Sequence, residues 1–240
     1  SRLSMAVFFE ANFKNANLNR AQVKGAKLAG GTFENTSLPR ADITGADLTD
    51  AKFLNSNLSR AKLNGAILRR TDLKGSDLSE ADLSIADLTG ASMIEVKLIG
   101  ANMERIKLNQ AKLPGAQLCG AKINKAKLVQ VDLSKADLSG ANLTGADLTE
   151  SNLQDCDLSR ANLTEAIMQK ANLKSTFLIG ATLQKTDLTE VNLEGANIAG
   201  VKLCKANCQK ANMKNVDLQR SDLEHADFTQ ADLTGSNLTG

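Results

Sequence analysis

An apolar residue recurs at every fifth position from one end of the chain to the other. Counting from Leu3, every residue whose number ends in 3 or 8 is apolar, without an insertion or a deletion. This gives 48 consecutive units, of which 34 have Leu at the central position. An α-helix does not fit this period, because five steps of about 100° place successive leucines about 140° apart around the cylinder. The fold must therefore be built from the repeat itself.

A second small residue lies two positions before each central residue, and it is Ala in 30 of the 48 units. Residues two apart in an extended segment share a face, so both side chains are predicted to point inward. The residue between them is usually polar and should point outward, as in Ala46-Asp47-Leu48-Thr49-Asp50. The last two residues of each unit must then turn a corner.

The corner positions carry turn residues. Pro39 and Pro114 both fall at the first corner position, where a φ fixed near −65° suits a type I or type II turn. Sixteen of the 17 glycines fall at the second corner position, where a type II turn needs a positive φ. Because other residues adopt a positive φ at a cost, we expect corners that end in Arg, Lys or Glu to use a different turn class.

Units such as Ala41-Asp42-Ile43, Ala136-Asp137-Leu138 and Ala141-Asn142-Leu143 match the motif A(D/N)LXX, and the whole sequence resembles the pentapeptide-repeat family. The resemblance implies an all-β fold, a right-handed quadrilateral parallel β-helix with four units per coil. It thus implies a single domain over residues 1–240 with about 12 coils. The hand agrees with the rule for parallel crossovers, and a spacing of about 4.8 Å per coil gives a rod roughly 58 Å long.

The sequence argues against catalysis. An enzyme needs a pocket and convergent titratable groups, and a filled rod offers neither. The one histidine, His225, falls at a corner, and Cys204 and Cys208 should point to opposite sides of the wall. We therefore predict no catalytic residue, no metal site and no cofactor.

Targeting signals are not apparent in the sequence. No apolar run approaches the roughly 18 residues of a membrane span, and no signal-peptide pattern opens the chain. Free cysteines are typical of a reducing compartment. These features favour a cytoplasmic location without a membrane span, while the compartment itself stays open.

One cluster of positive charges stands out. If coils contain 20 residues, Arg105 and Lys125 stack at one corner, and Lys107 and Lys127 stack on the next side. Like charges about 5 Å apart are costly without a partner. The cluster is therefore a candidate docking patch for an acidic surface, a phosphate or a nucleic-acid backbone. The alternative is that neighbours such as Glu104 screen it.

Two further surfaces could contact a partner. Ile94 and Ile99 belong to one coil, and Pro114 and Cys119 lie one coil further on. Apolar residues at outward positions often mark a contact surface, although scattered exposed apolar residues are normal. The terminal coils have no polar cap over their leucines and strand edges. Self-association through these uncapped ends is one prediction, and the alternatives are that a further domain or a disordered segment covers them.

The sequence thus predicts a non-enzymatic scaffold that presents a rod-shaped surface to another protein. The family resemblance offers an alternative, a DNA mimic that binds type II topoisomerases and protects them from quinolones. Such mimicry needs a strongly negative surface and often projecting loops, whereas this chain has a net charge of +2 and an unbroken frame. Direct binding of nucleic acid would use the Arg105 cluster, but the charge balance and the lack of aromatic residues in that cluster for base stacking argue against a nucleic-acid partner.

Overall fold

The computed structural model describes residues 3–240 and shows a continuous four-sided β-helix. Residues 20 apart pair as parallel β-bridges, from Val7 with Lys27 to Asp217 with Asn237. Each side of each coil contributes one bridging residue, so the strands are very short and no helix interrupts the described chain. The predicted four units per coil are confirmed.

The four sides are numbered by their bridging residues, whose side chains point outward. Side 1 contains every twentieth residue from Val7 to Asp227, side 2 from Asn12 to Asp232, side 3 from Asn17 to Asn237, and side 4 from Gln22 to Asp222. Each corner takes the number of the side that it follows. Corner 3 therefore contains residues 19–20, 39–40 and onward, and corner 4 contains residues 4–5, 24–25 and onward.

Three backbone hydrogen bonds per unit join each coil to the next. The Lys27 N–H donates to the Ala6 carbonyl at 2.8 Å, and the Phe8 N–H donates to the Lys27 carbonyl at 2.8 Å. The third bond, from the Glu10 N–H to the Ala29 carbonyl at 2.9 Å, starts from the second corner residue. Because these bonds recur along the rod, the outward, central and second corner positions have fixed backbone geometry.

The expectation that charged corners use another turn class is wrong. The second corner residue has a positive φ throughout, including Arg20 at 54°, Lys125 at 56° and Glu150 at 57°. In every coil except the last, its N–H donates to the following coil, as the Arg40 N–H does to the Ser59 carbonyl at 2.9 Å. The interactions between coils therefore hold non-glycine residues in a conformation that they would not choose alone.

The central residues fill the axis of the rod. Leu138, Leu158 and Leu178 stack on side 3 and are fully buried. Complete burial of such a side chain contributes about 1.5–3 kcal/mol. Near the start of the rod the side 2 column consists of Phe13, Phe33 and Phe53, whose rings stack with centroids 4.9 and 4.5 Å apart.

The outward Asp and Asn residues of the motif also have a structural role. The Asp47 carboxylate accepts the Thr49 N–H at 3.0 Å, and the same bond recurs at most Asp and Asn positions. This bond satisfies the first corner N–H, which the coils leave unpaired. On side 2 the amides form a ladder, in which Asn172 donates to Asn152 at 3.2 Å and Asn192 donates to Asn172 at 3.3 Å.

The terminal coils are less well packed than the interior ones. Phe8 is 40% exposed and Leu238 is 55% exposed, whereas central residues from Leu28 to Leu218 are at most 2% exposed. The terminal coils of the described chain thus present apolar side chains at both ends. The prediction that such ends associate stays a prediction.

Candidate functional site

The four predicted basic residues lie together on the outside of the rod. Lys107 and Lys127 form a bridged pair on side 1, and Arg105 and Lys125 occupy the second position of corner 4 in the same two coils. All four side chains are exposed. The unbroken frame explains the arrangement. Residues 20 apart always stack, and Lys107 on side 1 follows Arg105 of corner 4 by two positions.

Lys122 extends this cluster in a way that the sequence reasoning missed. It lies on side 4, directly before corner 4, with uncharged Asn102 and Asn142 as its bridging neighbours. Its exposed side chain continues the positive surface from side 1 around the corner onto side 4. We call these five residues the basic belt: Arg105, Lys107, Lys122, Lys125 and Lys127.

The acidic neighbours of the belt leave most of its charge uncompensated. Glu104 lies 3.8 Å from Arg105, and both side chains are largely exposed, so this contact is weak. Among residues 3–240, no carboxylate lies within 4.0 Å of the four lysines of the belt. Glu104 therefore screens only one of the five charges directly.

The two carboxylates that continue the lysine column are engaged elsewhere. Asp87, one coil before Lys107, accepts hydrogen bonds from Arg69 at 2.8 Å and from the Thr89 hydroxyl at 2.7 Å. These bonds outweigh the effect of partial burial, which by itself would raise the pKa, and they hold the pKa of Asp87 below its usual value. Asp147, one coil after Lys127, accepts the Thr149 hydroxyl at 2.7 Å.

The belt lies in a strongly basic part of the rod. Residues 101–140, two complete coils, contain seven basic and three acidic residues, whereas the whole chain contains 29 and 27. The near-neutral total thus conceals a local positive surface. Such a surface attracts anionic partners over a distance of about one Debye length, about 8 Å at physiological salt.

The apolar candidate residues divide into two strips. Ile94 and Pro114 lie half-buried at corner 2, and Ile99 and Cys119 lie exposed at corner 3. Side 3 separates the two corners, and its exposed polar residues in these coils are Lys97 and Gln117. The four residues therefore do not form one continuous apolar patch, and a contact at either strip remains a prediction.

The other reactive side chains are dispersed. Burial raises the pKa of the Cys156 and Cys208 thiols to about 12, so both are neutral at physiological pH. His225 is exposed beside Glu224, at 3.3 Å. Within residues 3–240 no three His, Cys, Asp or Glu side chains converge as metal ligands, and no helix of this part could cross a membrane.

The sequence profile of pentapeptide repeats matches this chain in eight overlapping or adjoining stretches that together span residues 6–240. The chain belongs to the pentapeptide-repeat family. Its fold is accordingly the right-handed quadrilateral β-helix, which the family resemblance implied. A search of curated proteins finds no significant match.

Several solved structures of pentapeptide-repeat proteins are similar to this one. HetL of the cyanobacterium Nostoc sp. strain PCC 7120, involved in heterocyst differentiation regulation, is 28% identical over 95% of this chain and 90% of its own, with a TM-score of 0.42. QnrB1, a plasmid-mediated fluoroquinolone resistance protein, is 21% identical over 77% of this chain and 88% of its own, with a TM-score of 0.48. A thylakoid-lumen protein of Arabidopsis thaliana is 30% identical over 52% of this pentapeptide-repeat chain and 66% of its own, with a TM-score of 0.21.

Proposed function

We propose that this pentapeptide-repeat protein is a non-enzymatic scaffold that binds an acidic surface of another protein through the basic belt. The observation that carries the proposal is the stack of lysines without a carboxylate within 4.0 Å among the described residues. The rod holds the backbones of stacked lysines about 4.8 Å apart, so their ammonium groups can lower their repulsion only by splaying apart. Carboxylates of a partner would relieve it.

The fold supports binding rather than catalysis. The central side chains fill the axis, and the titratable groups of the surface diverge from one another because they lie on four sides. A rigid surface loses little conformational freedom on binding, which favours association. Complementary charge would contribute chiefly to the rate of association and to the choice of partner.

The topoisomerase-binding alternative has less support. A DNA mimic presents negative charge to its partner, whereas residues 101–140 of this rod contain seven basic against three acidic residues. The five-residue frame also continues without a projecting loop from residue 3 to residue 240. Direct binding of nucleic acid would use the same belt, but none of its residues or bridging neighbours is aromatic.

A pull-down from a lysate of the source organism tests the proposal. The belt variant changes Arg105, Lys107, Lys125 and Lys127 to Gln. A matched control changes to Gln four exposed lysines that lie in four different coils and likewise have no carboxylate within 4.0 Å among residues 3–240: Lys27, Lys52, Lys62 and Lys202. The net charge falls equally in both variants, and circular dichroism confirms that both fold.

The proposal requires an acidic protein that binds the wild-type rod and the control but not the belt variant. Equal loss from both variants would indicate attraction by net charge alone, and an unchanged set of partners would discard the belt. If the wild-type rod and the control captured nucleic acid instead of an acidic protein, the partner of the belt would be a nucleic acid and the proposal would be wrong. Light scattering on the purified chain measures separately whether the ends associate.

A further inference from the structure

A second basic feature lies on a different edge of the rod. Arg20, Arg40 and Arg60 occupy the second position of corner 3 in three consecutive coils. Their exposed side chains line an open groove of about 460 Å³, together with Asn19, Pro39, Ser59, Asp77, Ser79 and Glu80. The neighbouring bridging residues of side 3 in these coils are uncharged: Asn17, Ser37 and Asn57.

Two ion pairs show what an arginine at this position can hold. Arg60 donates from Nε and from Nη2 to the two carboxylate oxygens of Glu80, both at 2.9 Å. On corner 1, Arg70 holds Asp50 in the same two-pronged way, at 2.8 and 2.7 Å. In both pairs the carboxylate lies one coil away at the same corner position, so the corner positions a guanidinium for side-on carboxylate binding.

Arg20 and Arg40 have the same backbone geometry without such a partner. Arg40 lies between two other arginines in its column, and within residues 3–240 no carboxylate lies within 4.0 Å of either side chain. Glu80, two coils from Arg40 in the same column, is bonded through both carboxylate oxygens to Arg60; this bond, and to a smaller extent the charge of Arg40, lowers the pKa of Glu80. Two guanidinium groups are therefore free to bind carboxylates.

We propose that the Arg20–Arg40 edge is a separate docking site for an acidic segment of another protein, with two carboxylates spaced about one to two coils apart. An extended segment places alternate side chains about 6.8 Å apart, which lies between one and two coil spacings and within reach of flexible arginines. This site goes beyond the proposed role of the basic belt, which lies on corner 4 and its flanking sides.

The groove favours a protein segment over a nucleic acid. Its far end carries Asp77 and the paired Glu80, which would repel a regular polyanion but would accept a neutral or basic residue. No aromatic residue lines it, so it offers no platform for a base. A peptide with acidic residues at one end matches this distribution of charge.

Fluorescence anisotropy with a labelled peptide of alternating Glu and Ser tests the site. The 240-residue chain with all five belt residues changed to Gln serves as the background, so that the belt does not contribute. The test variant adds Arg20→Gln and Arg40→Gln. The matched control instead adds Arg160→Gln and Arg220→Gln, two arginines of the same corner position that have glycines on both sides in their column.

The site requires that the test variant bind the peptide about tenfold more weakly, which is about 1.4 kcal/mol, while the control stays within twofold of the background. Equal weakening in both would show that only net charge matters. Failure of the background protein to bind the peptide would also overturn the site, as would stronger binding of a 12-nucleotide single strand that depends on Arg20 and Arg40. Loss of the belt interaction alone leaves these outcomes unaffected, so the two proposals fail independently.

Discussion

Gly31 is the one glycine at an inward position, and replacing it with Ala separates the repeat pattern from the packing. Because Ala occupies this position in 30 of 48 units, the pattern alone predicts that Gly31→Ala stabilises the rod. In the structure an added Cβ would lie 2.9 Å from Cε2 of Phe33 and 2.9 Å from the Leu28 carbonyl oxygen. The corresponding carbonyl accompanies alanine in the other units, and Ala11 and Ala51 likewise accompany Phe13 and Phe53. The specific obstacle is therefore the position that the Phe33 ring takes beside Gly31.

The ring of Phe33 cannot easily give way. It is stacked between Phe13 and Phe53 at centroid distances of 4.9 and 4.5 Å, so a shift along the axis closes one of the two contacts. Overpacking of this kind costs about 1–3 kcal/mol, and the loss of glycine flexibility in the unfolded chain returns about 0.4–1 kcal/mol. We expect Gly31→Ala to lower the free energy of unfolding by about 1–2 kcal/mol.

A double-mutant cycle makes the explanation specific. In a Phe33→Leu background the obstacle is gone, and Gly31→Ala should become stabilising by about 0.5 kcal/mol. Gly45→Ala is the control, because Gly45 has a φ of +63° and no atom within 4 Å of an added Cβ, so its cost of about 1 kcal/mol should be the same in both backgrounds. Urea denaturation followed by circular dichroism measures all six proteins. If Gly31→Ala stabilises the wild type, or destabilises both backgrounds equally, the packing argument is refuted.

Three further predictions concern single groups. Burial raises the pKa of the Cys208 thiol to about 12, so Cys208 should resist iodoacetamide at pH 8 while the exposed Cys119 reacts. Mass spectrometry of the labelled chain measures both, and equal modification of the two cysteines would contradict the prediction. Hydrogen bonding to Arg60 lowers the pKa of Glu80, so the ion pair is present above the usual Glu pKa and is lost as the pH falls through the lowered value. Arg60→Gln should therefore move the pKa of Glu80, measured by NMR titration, back toward its usual value. An unchanged pKa would refute the pairing. Asn172→Asp removes the amide that donates to Asn152, the preceding rung of the side 2 ladder, and should lower stability in urea by about 1 kcal/mol at neutral pH. No change would mean that this bond contributes nothing.

The period of five was sufficient to predict most of the fold. It defined the inward positions, the corners and the number of coils, because an unbroken frame leaves no freedom in the register. The turn geometry of the charged corners was mispredicted, since local propensity says nothing of the bonds between coils that hold Arg20 or Glu150 at a positive φ.

The surface was only partly predictable. Writing the sequence in rows of 20 stacks Arg105 on Lys125, and it equally stacks Arg20 on Arg40, a signal that sequence reasoning left unused. Which carboxylates are already engaged could not be predicted, because Asp87 turns toward Arg69 rather than toward Lys107 through its side-chain rotamer. The division of the apolar residues into two strips likewise depends on the polar side between them.

Lysine footprinting of the complex tests the central claim most directly. The rod, bound to the partner captured by the wild type, is labelled with an amine-reactive ester, and mass spectrometry compares each lysine with that of the free rod. The account predicts strong protection of the belt lysines and none of the dispersed control: Lys107, Lys122, Lys125 and Lys127 against Lys27, Lys52, Lys62 and Lys202. Unchanged labelling of the belt, with protection elsewhere on the rod, would contradict it.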